Sequence, residues 1–151
     1  NYYSMEIAVL ALGCFWGPEI KFSKIEGIIR TEVGYCGGNN SQTTYEEVCT
    51  GTTNHAEVVK LEFDPKIVSY SKILEYFFKF HDPTTLNSQG PDRGTQYRSE
   101  IFYLNDPQKQ IAEKIINDEN KKLSGKVVTK ISLLKNYCPA EEYHQKYLEK
   151  R

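Results

Sequence analysis

The chain has 151 residues, with 39% hydrophobic side chains and a formal charge of −1 from 19 basic and 20 acidic groups. That length suits one domain whose core needs no disulfide staples, and the composition excludes global disorder. The balanced charge opposes phosphate-driven nucleic-acid binding, no apolar run approaches the roughly 20 residues of a membrane span, and Asn1 to Glu6 with Ile7 to Leu12 make no secretory leader, so a cytoplasmic protein is expected.

Ile7 to Leu12 is a short apolar run closed by Gly13, and it reads as a central strand. Pro18 suits a first helical turn, Ile20 to Glu26 continues the helix, and Gly27 stops it. Ile28 to Tyr35 reads as a second strand, followed by a Gly/Asn loop from Gly37. Thr44 to Cys49 suits one helical turn, and Glu57 to Phe63 alternates like a strand that Asp64-Pro65 ends. Ser69 caps a helix with the stripe Ile73, Leu74, Phe77 and Phe78, which His81-Asp82-Pro83 stops. Thr84 to Gly94 reads as a loop and Ser99 to Leu104 as a strand. Asp106 then caps a helix opened by Pro107. Val127 to Leu134 is expected as a last strand and Ala140 to Glu149 as a terminal helix. Adjacent strand predictions without an intervening long helix imply antiparallel pairing. The expected fold is α+β: a single-domain, two-layer, ferredoxin-like plait with a mixed, mostly antiparallel sheet and helices packed on it.

Cys14, Cys36, Cys49 and Cys138 contain no C-x-x-C pair, and His55, His81 and His144 add no zinc-ligand spacing. Cys36 and Cys49 are expected to be small buried hydrophobes. Cys14 differs, because it lies between a buried strand and a helix start. Unpaired N–H groups there favour thiolate over thiol, so a lowered pKa is expected. Phe15 and Trp16 follow directly and suit an apolar subsite for a small alkyl group. A reactive thiol at a helix start also fits a thiol peroxidase. His55 is read as structural, bonded to nearby backbone, and His81 as a helix-end residue.

Gly13-Cys14-Phe15-Trp16-Gly17-Pro18-Glu19 resembles the signature of the peptide-methionine (S)-S-oxide reductases, the A class of methionine sulfoxide reductases. Further blocks resemble that family in order: Gly34 to Gly38, Thr44 to Cys49, Asn54 to Glu57, Gln89 to Ser99 and Ala140 to Gln145. The resemblance implies reduction of the S epimer of methionine sulfoxide, free or in oxidised proteins. It implies Cys14 as nucleophile, Phe15 and Trp16 around the S-methyl group, and Glu57 as the acid protonating the sulfoxide oxygen. Tyr45 and Tyr97 would donate hydrogen bonds to that oxygen, and Asp92 would anchor the substrate backbone or a water. Thiolate attack at sulfur succeeds only if the oxygen leaves as water, and a buried carboxyl with a raised pKa suits that task. The product would be a sulfenic acid on Cys14 plus methionine.

Many relatives continue into a tail whose cysteines resolve the sulfenic acid, whereas Tyr143 to Leu148 here runs on to Arg151. The chain is therefore expected to be one catalytic domain without that tail. An external thiol, from glutathione with glutaredoxin or from thioredoxin, is the preferred reductant. Cys138 as an internal substitute, or a tail missing from this sequence, are the alternatives. No metal or organic cofactor, nucleic acid or membrane partner is expected.

Overall fold

A computed structural model describes residues 5–151; Asn1 to Ser4, read above as part of a non-leader, lie outside the described residues. Eight strands and four α-helices follow in chain order: β1 (Glu6–Leu12), α1 (Trp16–Ser23), β2 (Ile28–Cys36), α2 (Tyr45–Cys49), β3 (Ala56–Phe63), α3 (Tyr70–Lys79), β4 (Ser88–Gln89), β5 (Asp92–Arg93), β6 (Ser99–Tyr103), α4 (Asp106–Lys122), β7 (Lys130–Leu133) and β8 (Cys138–Pro139).

Six strands form one sheet in the order β7-β6-β1-β3-β2-β8, and β4 and β5 make a small separate hairpin. Every pairing in the large sheet is antiparallel except β6 with β7. That exception follows from connectivity, since a strand returning through a helix such as α4 lies parallel to the strand before it. The class is therefore α+β with a mixed, mostly antiparallel sheet, as expected.

The pleat of β1 sends Ala8, Leu10 and Leu12 to one face, where they join Val59, Leu61, Phe63 and Ile101 beneath Phe22 of α1, Ile73, Leu74 and Phe77 of α3, and Ala112 of α4. Val9 and Ala11 point to the other face with Val58 and Phe102, covered by Leu134 and Tyr137. A central strand buried on both faces reads as a continuous apolar run, which is what Ile7 to Leu12 shows. The Ser69 hydroxyl caps α3 by accepting from the Lys72 N–H at 3.0 Å, as its position predicts.

Several boundaries differ from expectation. α1 opens at Trp16 with Phe15 at the cap and Pro18 in its first turn as expected, but it ends at Ser23 rather than running to Glu26. Asn105, not Asp106, caps α4, its Oδ1 accepting from the Gln108 N–H at 3.0 Å. The polar stretch Thr84 to Gly94 contains the β4–β5 hairpin, turned at Gly90-Pro91. The expected strand Val127 to Leu134 shortens to Lys130–Leu133.

The largest correction is the C-terminus: Ala140 to Glu149 is no α-helix, and only Glu142–His144 forms a 3-10 turn. Side chains pin this turn-rich segment against β2 and α1. The Gln145 amide accepts from Val33 N–H at 2.9 Å and donates to Val33 O at 2.9 Å, standing in for a neighbouring strand. The buried Glu19 carboxylate accepts the Lys146 N–H at 2.7 Å, and Lys146 itself has φ 51°, which no helix continues through.

Candidate active site

The site forms where β1 ends and α1 begins. Gly13 turns the chain with φ 98°, a conformation that suits glycine, and a Cβ there would meet the Gln89 side chain at 2.9 Å. The turn leaves Cys14 partly exposed beside a buried Phe15. Register supplies the next group. Leu10 faces Val59 across β1 and β3, so two steps further Glu57 comes opposite Leu12, and on its other side it pairs with Tyr35. Glu57 is 1% exposed, and its Oε1 accepts the Phe15 N–H at 3.2 Å.

Burial pushes the Glu57 carboxyl up to about 8; the Phe15 N–H opposes the shift and the negative charge of Asp92 adds to it. Burial thus favours the protonated carboxyl at neutral pH. Cys14 departs from expectation, for burial pushes its thiol up to about 11. The backbone N–H of Trp16 favours the thiolate, as the helix start predicts, but desolvation outweighs it, and the charges of Glu57 and Asp92 raise the thiol further. The two groups are coupled, since a protonated Glu57 relieves part of the penalty on the Cys14 thiolate.

Tyr45 opens α2, whose start is fixed by a capping box between Thr44 and Glu47. The Glu141 carboxylate ties α2 to the C-terminal segment, accepting from Tyr45 N–H at 2.9 Å and from the Tyr35 hydroxyl at 2.8 Å. Tyr97 ends the 3-10 turn Thr95–Tyr97 between the β4–β5 hairpin and β6. Desolvation raises both phenols, Tyr45 and Tyr97, and both respond to the charge of Glu57. Tyr97 also responds to Asp92 and Cys14, so the sequence-selected polar residues Cys14, Tyr45, Glu57, Asp92 and Tyr97 converge on one place.

The aromatic side is more elaborate than the sequence suggested. Phe15 is 1% exposed and packs with Val33, Tyr35, Val48 and Ala140, whereas Trp16 is half-buried at the rim. The Trp16 indole N–H donates to His144 Nδ1 at 3.1 Å, and its ring stacks on Tyr147 with centroids 3.8 Å apart and planes 9° from parallel. His144 is buried among Phe15, Trp16 and Tyr45, and desolvation lowers its pKa against the opposing charge of Glu141. Sequence reasoning gave no separate role to His144, Tyr147 or Glu141. Their block was visible, but contacts between residues more than 90 positions apart carry no local signal.

The remaining cysteines divide. Cys36 is buried, its thiol 3.3 Å from Lys135 O, as expected. Cys138 is buried in β8 against Thr43 O and Pro139 O. Cys49 corrects the expectation of burial, being exposed at the end of α2 with its thiol against the Tyr45 phenol, one helical turn away. His55 is buried with Nε2 2.8 Å from Asn40 O, and His81 joins Phe77 O to the Ser99 hydroxyl, both structural placements.

The chain as a whole has counterparts among known proteins. The family model described as "Peptide methionine sulfoxide reductase" matches residues 6–151. The chain belongs to the peptide methionine sulfoxide reductase family. It is 78% identical over 147 residues to the peptide methionine sulfoxide reductase MsrA of Pelagibacter ubique, covering 97% of this chain and 100% of that one. The reduced form of Mxr1 from Saccharomyces cerevisiae superposes with a TM-score of 0.93 at 41% identity, over 100% of this chain and 88% of that one. Mxr1 in complex with Trx2 superposes with a TM-score of 0.68 at 28% identity, over 97% of this chain and 87% of Mxr1. As a peptide methionine sulfoxide reductase the chain is an oxidoreductase that reduces methionine sulfoxide by thiol chemistry.

Proposed function

We propose that Cys14 is the nucleophile, that Glu57 is the acid, and that the S epimer of methionine sulfoxide is the substrate. The observation that carries this reading is Glu57, a carboxyl 1% exposed, bonded to the backbone next to Cys14 and protonated near neutral pH. A sulfoxide sulfur is partly positive and its oxygen is a strong acceptor. The Cys14 thiolate attacks sulfur while Glu57 delivers a proton to oxygen, and the Tyr45 and Tyr97 hydroxyls donate to that oxygen as charge grows on it. The proton that the Cys14 thiol gives up as it attacks completes the oxygen's release as water, and water returning to Cys14 sulfur frees methionine and hands one proton back to Glu57. The balance is thiol plus sulfoxide giving sulfenic acid plus thioether, two electrons passing from Cys14 to the substrate. Phe15 and Trp16 hold the S-methyl group, and Asp92 anchors the substrate backbone or a water. Methyl on one side and oxygen donors on another admit one configuration at sulfur.

An external thiol then displaces water from the sulfenic acid, and a second thiol reduces the mixed disulfide. Thioredoxin or glutathione with glutaredoxin supplies it. Supporting this, Cys36 and Cys138 are buried with their thiols on backbone carbonyls, and a yeast relative is known in complex with Trx2. The chemistry as written needs no metal or organic cofactor. We assign a single catalytic domain working in the cytoplasm, in keeping with four free cysteines.

Separated S and R epimers of N-blocked methionine sulfoxide, incubated with dithiothreitol, test the assignment. Reduction of the S epimer alone, abolished in Cys14→Ser, is the expected result. Turnover of both epimers, or survival of activity in the variant, refutes it.

A further inference from the structure

Arg98 follows Tyr97 directly, yet its guanidinium is turned inward. Its side chain is 12% exposed and that of Glu100, its ion-pair partner, 5% exposed, with Nε 2.6 Å from Glu100 Oε1. Glu100 is itself held by the Ser132 hydroxyl, which donates to Oε2 at 2.5 Å. Burying such a pair is costly and by itself contributes little stability, so its other bonds are informative.

Those bonds go to main chain on both sides of the candidate site. Nη1 donates to Thr95 O at 2.9 Å, within the 3-10 turn that ends at Tyr97. Nη2 donates to Asn54 O at 3.0 Å, three residues before Glu57. Each carbonyl lies in backbone that needs holding. Asn54 has φ 61°, in the left-handed region, and the turn carrying Tyr97 follows Gly94 at φ 137°. Inside a strand a neighbouring ladder would fix these carbonyls; here Thr95 O otherwise accepts only the Arg98 backbone N–H at 3.2 Å, and Asn54 O lies in the loop before β3.

We propose that Arg98 is a positioning residue, one guanidinium that sets the spacing between the Glu57 carboxyl and the Tyr97 hydroxyl. A planar fork supplies donors in fixed directions, to a carboxylate through Nε and to two carbonyls through Nη1 and Nη2. Lysine keeps the charge opposite Glu100 but has no rigid fork with which to hold both carbonyls. The proposal rests on the roles given above to Glu57 and Tyr97, because both are meant to meet the same oxygen.

The test compares Arg98→Lys and Arg98→Gln with Glu57→Gln and Tyr97→Phe, all assayed on the S epimer at 10 °C after circular dichroism confirms folding. Misplacing a reacting group by an ångström costs on the order of 10²-fold, so Arg98→Lys should lose about 10- to 100-fold in kcat. Its KM should stay within about two-fold, since the methyl side of the site is untouched, and alkylation of Cys14 by iodoacetamide within about three-fold. A merely structural arginine would change stability without this split. Wild-type kcat in a folded Arg98→Lys overturns the proposal. So does failure of both Arg98 variants to fold at 10 °C, which would make the residue a determinant of the whole domain. If Glu57→Gln and Tyr97→Phe keep full kcat, the assignment of acid and donor has failed and takes the positioning role with it. If those two lose activity and Arg98→Lys does not, the positioning role alone is wrong.

Discussion

Glu57, the acid proposed for the site, is also a liability to the folded chain. An ordinary carboxyl ionises near 4.5, and this one is pushed up to about 8 by burial. Between those values the unfolded chain releases a proton that the folded chain keeps. Stability therefore falls as pH rises across that window and levels off above it. The cost reaches about 3 kcal/mol at pH 7. Glu57→Gln should accordingly raise the melting temperature at pH 8 and flatten its pH dependence between 5 and 8, while kcat drops by roughly 10²-fold or more. In the wild-type enzyme kcat should fall as pH rises through about 8, where the acid loses its proton, and a rate profile checks this. The sequence motifs named Cys14, Glu57, Tyr45 and Tyr97 as candidates, and the buried, proton-holding environment of Glu57 suits the role proposed for it. The Cys14 pKa was not legible there, since the sequence shows the helix start but not the desolvation that outweighs it.

At the scale of elements, local rules read well where local forces dominate. The apolar run of β1, the Ser69 cap and the capping box at Thr44 all appear where short-range chemistry places them. The C-terminal segment was misread because its conformation is set by partners far away in sequence: Val33 for the Gln145 side chain and Glu19 for the Lys146 backbone. A pattern confined to ten residues cannot contain them. Gln145→Ala should cost about 1–3 kcal/mol by urea unfolding, since it leaves the Val33 N–H without its partner while Val33 O keeps only the Ala140 N–H. Because the same segment carries Tyr147 against Trp16, KM should rise more than kcat falls, which steady-state kinetics on the S epimer would resolve.

For the whole molecule, the sheet separates stability from chemistry. Leu61 and Phe77 lie deep in the layer between sheet and helices, while the reacting groups cluster at one end of β1 and β3. Leu61→Ala should therefore cost about 2–5 kcal/mol in urea unfolding yet leave the choice of S over R epimer intact in the folded fraction. A loss of epimer selectivity in that variant would show that core and site are not separable. The sheet's class was readable from strand spacing. The parallel β7 at its edge follows once α4 is seen to cross between it and β6.

Trp16 is the chain's only tryptophan, so its fluorescence comes from one indole at the rim of the site. The ring is stacked on Tyr147 and its N–H is given to His144 Nδ1, which can accept only while the imidazole is neutral. Emission should thus respond to acid only below the ordinary imidazole range, because burial lowers the His144 pKa. Withdrawal of Tyr147 should shift the emission to the red as water reaches the indole. Nature has placed an optical reporter on the wall proposed to hold the methyl group, and substrate entry should be timed by stopped flow without attaching a dye.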